Sequence, residues 1–150
     1  MIQTKTQLNL EEIASNFQIG AEIAFIDPYG SGHINDTYFI KNASDENPDY
    51  LLQRINHLIF RNIPALMNNI YLVTNHLRKR LKEIPGADPD KEVLSLVKTK
   101  AMANYFRDEQ DNYWRMYKYI RNTRSVDVVE TKEQAFEGGR ALGWFQILLL

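Results

Sequence analysis

Near the start of this chain, residues 28–38 read PYGSGHINDTY, a stretch in which Gly30, Ser31, Gly32, His33 and Asn35 lie within six positions of one another. Glycine has no side chain and tolerates positive φ, so a turn of this kind can bring backbone N–H groups close to a phosphate. A cation follows at Arg54, inside the apolar run YLLQRIN of residues 50–56. By itself a Gly-x-Gly turn is common in hairpins. Its meaning depends on the elements that carry it and on where they place the arginine.

Residues 21–27 and 37–42 read as strands on either side of the turn, and residues 50–56 read as a third strand. Ahead of them, Asn9 with Glu12 three positions on predicts a short helix to about Phe17. Pro64 suits the first turn of a helix whose apolar stripe is Leu66, Ile70, Val73, Leu77 and Leu81, closed by Ile84, Pro85 and Gly86. Strands are expected at 93–98, 104–107 and 113–120. In the last of these, Trp114 and Met116 alternate with Tyr113, Arg115, Tyr117 and Tyr119. Large side chains on both sides suit a strand covered on both faces. Thr131 and Gln134 form a capping box that opens a final helix with an apolar or small face of Ala135, Gly138, Leu142, Phe145 and Leu149. Strand runs interrupted by one helix indicate an α+β fold rather than a parallel α/β sheet.

At 150 residues, with 44% hydrophobic and 25% charged residues, the chain has the size and make-up of an ordinary globular domain. The net charge of -1 supplies no global field for nucleic acid or anionic lipid. Residues 76–82, HLRKRLK, are read as a solvated helix face rather than a nucleic-acid site. Without cysteine, thiolate catalysis, disulfides and cysteine-based metal sites are excluded. The first residues lack the apolar core of a signal peptide, and no apolar run is long enough for a bilayer, so a cytoplasmic protein without membrane partners is expected. The apolar pattern of residues 144–150 runs on without a cap, which leads to the expectation of a longer protein.

Four ordered blocks carry a family resemblance: PYGSGHINDTY at 28–38, YLLQRINHLIF at 50–60, ALMNNIYLVTNHL at 65–77 and NYWRMYKYI at 112–120. Together with GGRALGWFQ at 138–146, they resemble the phosphotransferase family related to aminoglycoside phosphotransferases and choline kinases, in the branch of N-acetylhexosamine 1-kinase-like sugar kinases. The resemblance implies a protein-kinase-like small lobe over residues 1–130, an antiparallel sheet with one packed helix, and a linker helix at 131–150 leading to a large lobe. It implies ATP as ligand, with Gly30, Ser31, Gly32, His33 and Asn35 over the phosphates and Arg54 as the phosphate-binding cation. If Arg54 points beneath the turn, so does Leu52, while Gln53 faces the other way.

The chain departs from the family pattern at Asn68, where a helix glutamate would orient the cation; an amide oxygen there can still accept from Arg54. The adenine edge is expected near Tyr119, Ile120 and Arg121, with Met116 or Tyr117 at the back of the pocket. His33, His57 and His76 do not begin a His-x-Asp loop, so the catalytic aspartate and the Mg²⁺ ligands are expected in the large lobe and the catalytic and metal sites here are none. The expected activity is ATP-dependent phosphorylation of a small-molecule hydroxyl, of sugar type. The alternative is a stand-alone nucleotide-binding or regulatory module.

Overall fold

The structure, a computed structural model, describes residues 9–20 and 22–150. Residue 21, where the first strand is expected to begin, lies outside the described residues. In order come α1 (Leu10–Ser15), β1 (Ile23–Pro28), β2 (Asp36–Asn42), β3 (Tyr50–Ile55), α2 (Ile63–Lys82), α3 (Pro89–Glu92), β4 (Leu96–Val97), β5 (Phe106–Arg107), β6 (Tyr113–Lys118) and α4 (Lys132–Leu148). The result is an α+β structure with an open antiparallel sheet of six strands and several helices. Strand order is β1-β2-β3-β6-β4, and β5 also pairs with β6.

Two compact units divide the chain. One comprises the chain up to Asn68 together with Leu96–Tyr119; the other comprises Asn69–Ser95 with Ile120–Leu150. The first holds the sheet and α1. Asn9 caps α1 as its side-chain chemistry dictates: Glu12 N–H donates to Asn9 Oδ1 at 3.2 Å, and Asn9 Nδ2 donates to Glu12 Oε2 at 3.0 Å. Ile13, Ala14 and Phe17 then pack with Ile40, Tyr50, Leu52, Trp114 and Met116 of the sheet in a buried core. Backbone bonds from Gln18 N–H to Lys98 O (2.9 Å) and from Lys100 N–H to Asn16 O (2.8 Å) tie the end of α1 to the segment after β4. Those bonds also explain why β4 ends at Val97. Backbone groups expected to extend the ladder are spent on α1 and on the Thr99–Ala103 turn instead.

In the second unit, Leu77 and Leu81 of the expected stripe are buried with Val93 and Leu148, while Val73 is partly buried against them. Ile63 and Met67, outside that stripe and in the part of α2 that belongs to the first unit, are the buried residues of its first turns, where Leu66 is half-buried. α3 was not anticipated, although Asp88 caps it and Glu92 Oε1 accepts from Asp88 N–H at 2.7 Å. The Thr131–Gln134 capping box forms as expected. The apolar face of α4 is largely exposed. Leu148 is its one buried residue, and Leu142 (60%) and Phe145 (41%) are exposed. Among the described residues, no helix is long and apolar enough to cross a membrane.

Candidate functional site

Two-residue alternation along β2, β3 and β6 sorts their side chains onto two faces. On one face Tyr38 aligns with Leu52 and Met116, and Asp36 with Arg54 and Trp114. This is the α1 face, and at Leu52, Trp114 and Met116 it is fully closed by the core. On the opposite face, Thr37 aligns with Gln53 and Arg115, and Phe39 with Leu51 and Tyr117. Met67 of α2 lies over this second face, its Sδ 4.0 Å from Arg115 Nη1.

The glycine turn joins β1 to β2 at one end of the sheet, with Tyr29 N–H donating to Thr37 O at 2.8 Å. Gly30 sits at φ 81°, a left-handed conformation that a side chain would strain. Gly32 has ordinary φ, and a Cβ added there or at Gly30 would meet nothing within 4 Å. The turn is therefore open around both glycines. Asn35 works inward rather than outward: its Oδ1 accepts from Asn56 N–H at 2.9 Å and fixes the end of the turn against β3.

Arg54 is committed locally. Its Nε donates to Asp36 Oδ2 at 2.7 Å, and its Nη2 pairs with the same oxygen. With His33, Asp36, Asn56 and His57 it lines a cavity of about 310 Å³ beside the turn. His33 and Arg54 are thus brought together, whereas the glycines and Ser31 are not part of that lining. Among the described residues Arg54 makes no hydrogen bond to Asn68: Asp36 takes the guanidinium and Asn68 is exposed. Leu52 shares the Arg54 face, with Gln53 on the other, and is sealed in the core by α1. Met116 is sealed there too and cannot back a pocket on the other face.

The second face carries a different constellation. Gln53 Nε2 donates to Thr37 Oγ1 at 2.9 Å, and Arg115 Nε donates to Gln53 Oε1 at 2.8 Å, a polar row across three adjacent strands. The Arg115 guanidinium lies 5.4 Å from the centre of the Tyr117 ring. Burial lowers the Arg115 pKa from the ordinary arginine value, opposed by its charge interaction with Tyr117, and burial raises the Tyr117 hydroxyl. Arginine nonetheless stays cationic at neutral pH. Next to the polar row, Phe39 meets Tyr119 edge-on at 4.9 Å, and Tyr29 approaches both rings at about 6 Å. Tyr29 is raised in pKa, first by its side-chain hydrogen bond with Tyr119 and then by burial. Sequence reasoning passed over Arg115, Gln53 and Thr37 as site residues. The alternation of Arg115 with Trp114 was visible, but their register against β3 was not.

Among the described residues, no group of three or more His, Asp or Glu side chains is placed to hold a metal ion. Asp108 and Asp111 belong to the β5–β6 turn, where Asp108 Oδ2 accepts from Trp114 Nε1 at 2.8 Å. No protein-family model matches the chain.

Proposed function

We propose that this chain is the nucleotide-binding small lobe of an ATP-dependent phosphotransferase that delivers the γ-phosphoryl group to a hydroxyl, with an N-acetylhexosamine-type sugar as acceptor. The observation that supports it best is the glycine turn. It joins two antiparallel strands, leaves open space around Gly30 and Gly32, and stands at the end of a sheet with an arginine on each face. A phosphate chain lying under such a turn could approach the backbone closely at Gly30 and Gly32, which carry no side chain. The sugar acceptor rests on the resemblance of the four sequence blocks.

ATP with Mg²⁺ supplies the transferable phosphoryl group and neutralises its charge. This chain's own residues would bind and orient the phosphates through Gly30, Ser31, Gly32 and His33, while Asn35 holds the turn in register. No His-x-Asp loop exists in the sequence to accept the hydroxyl proton, so the chain by itself should bind nucleotide without turning it over. The same absence favours a second reading, a nucleotide-binding module without chemistry. The two part on whether the full reading frame encodes such a loop.

Calorimetric titration of the purified chain with Mg·ATP tests the proposal. Saturable binding that adenosine fails to reproduce is expected, with no sugar phosphate formed in a parallel assay. Absence of saturable ATP binding, or ATP-dependent sugar phosphorylation by this chain alone, would contradict it.

A further inference from the structure

We propose that the phosphate anchor of this site is Arg115, on the α2 face of the sheet, with the nucleotide's planar ring placed against Phe39 and Tyr119. This rests on the nucleotide reading and names the residues that would carry it.

The inference starts from what each arginine already holds. Arg54 is neutralised by Asp36 and stands on the face whose continuation, Leu52 and Met116, is filled by α1. A ligand running along that face from the turn would have to displace core. Arg115 has no carboxylate within ion-pair distance among the described residues; its partners are the Gln53 amide oxygen, the Tyr117 ring and the Met67 sulfur. A largely buried guanidinium with neutral partners is a charge awaiting an anion, because desolvation is compensated only when a counter-charge arrives. Gln53, fixed by Thr37, takes Nε and so orients the fork, leaving the Nη groups for phosphate oxygens.

The placement along the sheet agrees with the chemistry of a nucleotide. The Thr37–Gln53–Arg115 row is the one next to the glycine turn, because Thr37 O accepts from Tyr29 N–H. The Phe39–Leu51–Tyr117 row lies two residues further on, about 7 Å away at strand rise. Phe39, Leu51 and Tyr119 are all partly accessible there. A phosphate at the first row and a ring at the second are separated by the length of a ribose. Aromatic faces accept a nucleobase by stacking, and the cation beside them accepts its phosphate.

The test compares Arg115→Gln and Arg54→Gln in Mg·ATP titrations. Losing a charged hydrogen-bond donor should weaken binding by about tenfold or more in R115Q, and by more than in R54Q. R115K should recover part of the loss, since it restores charge without the fork. Wild-type affinity in R115Q, or a larger loss in R54Q, would overturn the inference while leaving the nucleotide reading intact. Failure of the unaltered chain to bind ATP would end both. Should R115Q fail to fold, the wild-type Arg115 Nε–Hε signal, followed by NMR, still decides. It should shift on adding Mg·ATP, and an unmoved signal at saturating ATP would overturn the proposal.

Discussion

Trp114 shows what a single residue demands of its surroundings. It is fully buried, and its indole N–H is satisfied by Asp108, whose carboxylate also accepts from the Asn112 side chain and backbone. Asp108→Ala leaves that donor without a partner and should cost about 1–3 kcal/mol in denaturant unfolding. Burial acting alone would raise the Asp108 carboxyl. The bonds from Trp114, Asn112 and Gln110 outweigh it and hold it below the ordinary aspartate value. A depressed folded pKa contributes stability that is fully present above the unfolded value and is lost as pH falls through the folded one. The stability gap between wild type and D108N should therefore close on acidification below about pH 4; a gap independent of pH would contradict this. The two turn glycines should separate in the same assay. Gly30→Ala forces a side chain into positive φ and should cost about 1–2 kcal/mol. Gly32→Ala meets no atom and should leave folding within about 1 kcal/mol of wild type. Loss of ATP binding in a well-folded Gly32→Ala protein would then report close approach of the ligand to the backbone.

At the scale of elements, the sheet is organised by what covers each face. Phe17, at the end of α1, is fully buried against Leu52, Trp114 and Met116. Phe17→Ala should cost about 3–5 kcal/mol, measured by chemical denaturation. Thr131→Ala removes half of the α4 capping box and should cost about 0.5–2 kcal/mol of helix stability, read as faster amide exchange in the first turn. Both caps were legible in the sequence because Asn9–Glu12 and Thr131–Gln134 are local pairs whose chemistry acts within one helical turn. The strands β2, β3 and β6 were legible from alternation to within one or two residues. Which face Arg54 shares with the core was not, because that depends on α1, a helix far from Arg54 in sequence, folding onto Leu52. Asn68 was considered as a partner for Arg54 from the family resemblance, and the pairing of Asp36 with Arg54, eighteen residues apart, was not legible because it depends on the β2–β3 register. The apolar face of α4 was legible as a pattern, but an apolar pattern tells only which face could be covered and not whether it is.

At the scale of the molecule, the first unit closes one face of its sheet with the core, and the proposed nucleotide site lies on the other, with the glycine turn at the end of both. Phosphate contacts through few cations imply a shallow salt dependence, and the near-zero net charge adds no long-range steering. In the basic stretch of α2, Arg78 is held by Asp90, Ser95 and the Pro89 carbonyl. A backbone amide NMR titration with Mg·ATP most directly tests the central claim that the α2 face and the glycine turn hold a nucleotide. Saturable shifts are expected at Gly30, Gly32, Thr37, Phe39, Gln53, Arg115 and Tyr119, with little change at Leu52 and Met116 in the core. No saturable shifts at these amides, or shifts gathered instead around the Arg54 cavity at His57 and Asn112, would contradict it.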